Sequence, residues 1–386
     1  MGGSGGAPRA VPPRDGARQR VALLFGGASV EHEVSVVSAR AVARALLDAG
    51  FDCLPIGITG EGRWLGPERS RQILDGAEER AEAGATGDAV GVAVDPGAGR
   101  FLRLVGAGEA RPIEVDVVFP LVHGWGGEDG RIQGLLDLAG LPFVGPGVTG
   151  SAAAMDKVVS KALFAAAGLR LAPWFAVSRG EYAAAPQAVH GRVAGELGFP
   201  AFVKPVNGGS SVGVSRVADP DRLAGAFGEA FDYDHRVIAE RGIDAREIEC
   251  AVIGNDEPEA SGVGEIVPSR EFYDYAAKYL DDASKLLIPA PLDATTTATV
   301  RRQAVAAFRA LGLAGLARVD FLVERESLAV HVNEVNTLPG FTPISMFPKL
   351  WQAEGLAFPS LVRRLVDLAV ERRNADRRLR TRCRSR

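Results

Sequence analysis

The stretch VNEVNTLPG (residues 332–340) follows the apolar run LAVH and sets Glu334 and Asn336 two residues apart before turning through Pro339 and Gly340. Side chains two apart on a strand share a face. The pattern is therefore a strand that brings a carboxylate and an amide to one side and stops at a turn. RVDFLV (318–323) precedes it across the short turn ERES, and the two read as an antiparallel hairpin. Arg318, Asp320 and Leu322 share a face of the first strand, and Val332, Glu334 and Asn336 share a face of the second. If the faces coincide, Asp320, Glu334 and Asn336 form a cluster of hard oxygens beside Arg318. Such a cluster, without His or Cys, suits Mg²⁺, which takes its remaining ligands from nucleotide phosphates and water. On these residues alone, a structural salt bridge between Arg318 and one acid explains the pattern equally well.

The composition is that of an ordinary globular chain. With 386 residues it exceeds one core of usual size, so two or three domains are expected. Hydrophobic residues make up 47% and charged residues 24%, and a net charge of -4 gives no case for nucleic-acid binding. Cys53, Cys250 and Cys383 lie far apart and form no CxxC pair, which argues against a zinc site or disulfide framework and suits a reducing cytoplasm. No apolar run is long enough to span a membrane. The first 20 residues lack an apolar core and read as a disordered leader, and the basic residues 372–386 read as a solvated, disordered tail. Only six of the 44 basic residues are lysines. A lysine inside a motif thus marks a place for a compact ammonium that a planar guanidinium does not replace.

RVALLFGG (20–27), a helical pattern ending at Gly50, and DCLPIGIT (52–59) give a β–α–β start and predict a parallel sheet. The Gly/Ala-rich stretch 78–99 reads as a loop or poorly regular edge. VDVVFPLVHG (115–124) is another buried strand, and LPFVGPG closes the first domain. SAAAMDKVVSKALFAAAG (151–168) reads as helical, and FPAFVKPVNGGSSVGVSRV (199–217) as a strand, a glycine-rich turn and a strand. Further strands (VIAER, EIECAVIG, ARVDFLV, LAVHVNEVN) and two long helices complete the chain. The expected domains are an N-terminal α/β domain over 21–146, a central subdomain over 147–236 and a C-terminal domain over 237–371.

Several of these segments carry chemistry. In KPVNGGSSVGV (204–214), successive backbone N–H groups of a glycine-rich turn form a concavity for anions, with Lys204 on the preceding strand. It lacks the ending of a Walker A loop, and taken alone a flexible hairpin fits it better. FGGASVEHEVS (25–35) follows the first strand, at the binding crevice of an α/β sheet, but lacks the GxGxxG fingerprint. Its acids, Glu31 and Glu33, suit an ammonium and would repel a pyrophosphate. His123 opens HGWGGEDGRIQG at the same sheet edge, either as a ligand contact or as a satisfied structural histidine. EFYDYAAKYLDD (271–282) reads as a long loop of the kind that serves as a lid.

Taken in order, GGASVEHEVS, HGWGGEDGRIQG, MDK, KPVNGGSSVGV, EFYDYAAKY, LARVDF and NEVNTLPGFTPISMFP resemble the D-alanine–D-alanine ligase family of the ATP-grasp fold, over about residues 21–370. The resemblance implies an α/β (α+β) three-domain chain in which an N-terminal parallel-sheet domain precedes two domains enclosing ATP. It implies that Glu31, linked to Ser210 and Tyr279, holds the ammonium of a first D-alanine near His123. Lys157, Lys204, Lys278 and the Ser211 backbone would bind ATP phosphates, and Glu240, Ile243, Glu247 and Asn333 would complete the ATP site. Asp320, Glu334 and Asn336 would bind two Mg²⁺ (or Mn²⁺). Arg318 and the Gly340 N–H would stabilise an oxyanion. Ser345 and Met346, with Lys278, would receive the second D-alanine. No named position departs from the family's pattern. The family implies a homodimer, no membrane or nucleic-acid partner, and a place in peptidoglycan precursor synthesis in the cytoplasm. Rival readings are a ligase of the same fold using D-serine or D-lactate, a biotin-carboxylase-like enzyme, and a non-catalytic nucleotide-binding module. The acid-bearing first loop disfavours the second, and the intact Asp320, Glu334 and Asn336 set disfavours the third.

Overall fold

Unbroken apolar runs become the centre of the first sheet. In the computed structural model, which describes residues 18–76, 89–93, 101–106, 109–267 and 285–379, β1 (Arg20–Gly26) lies parallel to β2 (Asp52–Ile58), joined by the helix His32–Asp48. The sheet runs outward through β3 (Trp64–Leu65), β4 (Ala89–Ala93), β5 (Phe101–Gly106) and β6 (Glu109–Glu114), each antiparallel to the last. On the other side β7 (Val117–Pro120) pairs parallel with β1. The expected parallel sheet is therefore mixed. Residues 89–93, read as loop or irregular edge, form a strand there, because a Gly/Ala-rich composition hides a pairing that only the neighbouring strands supply.

The middle of the chain builds a four-stranded antiparallel sheet from β8 (Trp174–Ser178), β9 (Ala201–Pro205), β10 (Ser215–Val217) and β11 (Arg236–Arg241), in the order β10-β9-β11-β8. It has its own core, in which Tyr182 stacks on the fully buried Phe227 at 4.7 Å. Phe227→Ala is expected to remove about 3–5 kcal/mol of stability by transfer and cavity terms. A fall in the urea midpoint checks it, and a loss below about 1 kcal/mol would mean the site collapses around the gap.

The remaining strands, β12 (Ala245–Gly254), β13 (Glu259–Val267), β14 (Lys285–Leu287), β15 (Gly315–Glu324) and β16 (Val330–Asn336), form an antiparallel sheet ordered β14-β13-β12-β15-β16. The helix Ala294–Ala310 covers one face. The other part of this region merges with the N-terminal sheet into one core. Phe341 meets Phe119 edge-on at 5.8 Å and Phe347 at 5.3 Å. The closing helix Phe358–Asp376 packs on His32–Asp48, where Arg363 lies 4.9 Å over the Phe51 ring. The stretch from residue 372, expected to be a disordered tail, is helical as far as Asp376. Arg372 is helical, sits 4.4 Å over the Phe143 ring and donates to the Phe143 carbonyl at 3.1 Å. A basic run looks solvated in sequence; here an arginine stem and guanidinium cover an aromatic face.

Candidate active site

The helical stretch expected over 151–168 breaks at Asp156. Its carboxylate caps the second helix, Lys157–Ala166, by accepting from the N–H groups of Val158 and Val159, each at 3.0 Å. This break aims Lys157 inward, where its ammonium donates to the Gly208 carbonyl at 2.7 Å. Burial pulls the Lys157 pKa down, with Glu334 opposing. The turn after β9 passes through Ser210 (φ 47°) and Ser211 (φ 58°), both in the left-handed region. Non-glycine residues there carry a cost of roughly 1–3 kcal/mol each. The Ser210 hydroxyl donates to Glu31, so the central subdomain reaches the loop after β1.

The three sheets meet around one cleft of about 1820 Å³. Glu31, His123, Lys157, Lys204, Ser210 and Ser211 line it, with Ile243 and Glu247 at one wall and Arg318, Asp320, Asn333, Glu334 and Asn336 at another. Gly340, Ser345 and Met346 complete it. Lys278 and Tyr279 lie outside the described residues. Glu240 is absent from the lining. It sits 4% exposed behind the wall, with one oxygen on Lys161 at 2.7 Å and the other on Lys204. Burial alone would raise its pKa, but the two lysines bring it to about 2. Glu240 thus acts here as a counter-ion, and the acid from this segment that faces the cleft is Glu247.

The hairpin β15–β16 carries the opening motif. Arg318 pairs with Asn336 and Asp320 with Glu334 across the ladder. A bulge then places Phe321 opposite Val332, leaving Asn333 as the extra residue. This corrects the simple alternation. Val332 turns to the core at 1% exposure, while Asn333 joins Glu334 and Asn336 at the cleft. The salt bridge left open by the sequence is made. Arg318 grips both Asp320 oxygens at 2.7 Å and reaches Glu249 at 3.1 Å. Burial would lower the Arg318 pKa, but Asp320 and Glu249 hold it well above its ordinary value. Asn336 donates its amide N–H to Asp320 at 2.9 Å. Among the described residues no three His, Cys, Asp or Glu side chains are grouped for a metal. The available donors are two carboxylates and an amide oxygen, a hard set that fits a cation completing its shell with phosphate and water.

The first-substrate end is built around His123, 3% exposed. Its Nδ1 meets the Leu338 carbonyl at 2.9 Å, a contact that assigns the proton to Nδ1 and leaves the Nε2 lone pair for a donor. Burial lowers its pKa, against the Glu31 charge, so the ring is neutral. At the far end Ser345 bonds Thr342 through its hydroxyl at 2.7 Å, and a Cβ on Gly340 would lie 2.8 Å from that same hydroxyl. Gly340 is therefore the residue type that permits this approach.

Three residues were missed in sequence. Glu249 lies opposite Asp320 in the ladder, a pairing with a strand distant in the chain. Glu128, in the middle of HGWGGEDGRIQG, accepts from the N–H groups of Gly124 at 2.8 Å and Leu338 at 2.9 Å. Lys161 had a signal, since it is one of the few lysines and stands one helical turn after Lys157.

Two family models match the chain, D-ala D-ala ligase N-terminus over residues 20–146 and D-ala D-ala ligase C-terminus over residues 163–367. The chain is 48% identical to a D-alanine–D-alanine ligase of Geobacillus thermodenitrificans, over 92% of this chain and 96% of that one. It is 46% identical to D-alanine–D-alanine ligase A of Escherichia coli K12, over 94% and 98%. Among solved structures, the D-alanine–D-alanine ligase of Coxiella burnetii superposes with a TM-score of 0.80 at 35% identity, covering 93% of this chain and 96% of that one. The VanG D-Ala:D-Ser ligase of Enterococcus faecalis gives the same score and identity, covering 92% and 100%.

Proposed function

The chain belongs to the D-alanine–D-alanine ligase family, ATP-dependent ligases of the ATP-grasp fold that act in peptidoglycan synthesis, and we propose that its cleft divides this reaction among three groups of residues. The observation that carries the reading is the meeting, in one cleft, of the Glu31–Ser210 link with the Arg318, Asp320 and Glu334 cluster. Glu31 holds the ammonium of the first D-alanine, with neutral His123 beside it. Lys157 and Lys204, with the Ser211 backbone and Lys278, neutralise the ATP phosphates. Ile243, Glu247 and Asn333 line the rest of the ATP site, and Glu240 contributes through Lys204.

ATP transfers its γ-phosphoryl to the first D-alanine carboxylate, giving an acyl phosphate and ADP. This step needs positioning and charge neutralisation rather than a covalent nucleophile. The half-buried Cys53 and the buried Cys250 fit that view, since desolvation pushes both thiol pKa values up to about 12. Asp320, Glu334 and Asn336 would hold two Mg²⁺ (or Mn²⁺), which when bound neutralise phosphate charge. The second D-alanine, received by Ser345 and Met346 with Lys278, gives its ammonium proton to solvent and attacks the acyl carbon as the free amine, whose second proton leaves with the phosphate. Arg318 and the Gly340 N–H hold the tetrahedral oxyanion, which collapses to the dipeptide and expels phosphate. Tyr279 completes the Glu31–Ser210 link, and closure over the site keeps water from the acyl phosphate.

The test is phosphate release from ATP and Mg²⁺ with D-alanine, D-serine or D-lactate, with mass analysis of products. D-alanyl-D-alanine with stoichiometric phosphate is expected. Release only when D-serine or D-lactate is added would move the second-substrate assignment, and no release would sink the catalytic reading. Glu31→Gln should raise KM for the first D-alanine by about 10-fold or more, because an ammonium loses its charged partner, with KM for ATP unchanged.

A pH dependence follows from Glu128. Burial, and then the Glu31 charge, push its carboxyl up to about 8, while the N–H groups of Gly124 and Leu338 pull it down. An ammonium arriving between the two acids favours the ionised form. Binding therefore releases a proton below about pH 8, and affinity for the first D-alanine rises as pH climbs from 6 to 8. Calorimetry in buffers of different ionisation enthalpy measures the proton. An affinity that does not change over that range would remove Glu128 from the substrate's field.

No helix of the described residues is long and apolar enough to cross a membrane. A cytoplasmic homodimer completes the reading, resting on family likeness, and sedimentation at working concentration checks it.

A further inference from the structure

One residue of the oxyanion turn is held from both sides by the first-substrate loop. Leu338, 2% exposed, gives its carbonyl to His123 Nδ1 at 2.9 Å and its N–H to Glu128 at 2.9 Å. The second Glu128 oxygen accepts the Gly124 N–H at 2.8 Å, so one carboxylate straddles two backbones more than 200 residues apart. The same loop packs on Glu31, because a Cβ on Gly124 would come 2.9 Å from its carboxylate. Three residues on, the Phe341 N–H donates to the buried Ser38 hydroxyl at 3.3 Å. The segment that carries Gly340 is thus tied down on both sides by the N-terminal sheet's own loop and helix.

We propose that Glu128 and His123 form a clamp on Leu338 that positions the Gly340 N–H, so that the loop binding the first D-alanine also sets the oxyanion donor for the second step. This rests on the reading of Gly340 as that donor. Glu128 is a positioning residue here, acting through Leu338. A carboxyl group is required because both oxygens can accept, in the ionised form and in the acid, whose hydroxyl oxygen keeps a lone pair, whereas an amide has only one acceptor and would turn an N–H toward an N–H. The two contacts come from one loop, so the clamp couples the placement of the acyl carbon to that of its oxyanion site. A displacement of the order of 1 Å at a reacting centre can cost about 100-fold in rate.

Glu128→Gln keeps volume and shape and breaks one of the two N–H contacts. Three readings are taken on the full chain: hydrogen exchange of the peptide spanning residues 335–341, kcat with KM for ATP, and the ratio of phosphate released to dipeptide formed. The clamp predicts faster exchange, kcat lower by about 10- to 100-fold, an unchanged KM for ATP, and a ratio above one as stalled acyl phosphate hydrolyses. A purely structural role would not shift that ratio. Unchanged exchange would overturn the clamp itself. Faster exchange with kcat and the ratio unchanged would overturn the coupling and place the fault in the Gly340 assignment. His123→Asn, which keeps a donor of different reach, should move exchange in the same direction, and its failure to do so would remove His123 from the clamp.

Discussion

Arg318→Ala is expected to lower kcat by at least about 100- to 1000-fold, the loss seen when one preorganised oxyanion donor is removed. The guanidinium is aimed by both oxygens of Asp320 and by Glu249, and its charge is permanent. The substitution also strands two carboxylates of low exposure, a change of about 3–5 kcal/mol in buried pairs. Stability must therefore be read beside rate. Arg318→Lys separates the effects. It keeps a charge near the acids but loses the fork, so folding should be largely restored while kcat stays more than about 10-fold down. If a folded Arg318→Ala enzyme turns over within a few-fold of the parent, Arg318 serves only as the salt bridge its neighbours suggest.

Glu334→Gln is expected to lower activity by about 100-fold or more, with a higher Mg²⁺ requirement. Removing partners that merely support a metal ligand typically costs 10- to 100-fold in affinity, and a direct ligand stands at or above that range. Glu334 faces Asp320 across the ladder, and its charge bears on Lys157, Lys204 and Arg318. A loss of charge balance alone would lower activity at every Mg²⁺ concentration. A lost ligand would instead shift the Mg²⁺ titration to the right and recover activity in part at saturation. A parallel drop with no shift would take Glu334 out of the metal set.

The chemistry of the site was easier to see in sequence than its architecture, and the reason is local. Asp320, Glu334 and Asn336 lie on two strands joined by a short turn, so alternation alone brings them together. The same alternation failed at Val332, because a bulge at Asn333 is set by the ladder and leaves no mark in the residue pattern. Glu240 was legible as a special acid but not in its role, since Lys161 reaches it from a helix 79 residues earlier. Strands β4 to β6 and β8 escaped because short antiparallel segments draw their stability from neighbours rather than from their own composition. Glu128 stood in a quoted motif, yet its partner Leu338 is 210 positions away. Contacts of that span are invisible without the fold.

The core shared by the two ends of the chain has a consequence for synthesis. Phe119 on β7 waits for Phe341, and the helix His32–Asp48 waits for Phe358–Asp376. Ribosomes add roughly 5–20 residues per second. On the order of 10 seconds or more must then pass between the emergence of the first sheet and the arrival of its cover. During that interval the middle segment, with its private core, can fold on the ribosome, while the N-terminal sheet holds one greasy face open to chaperones. Nascent chains stalled at about residue 340 should be protected from protease over residues 174–241 and cut within the first 120. Release of the last 40 residues should then protect the N-terminal sheet as well.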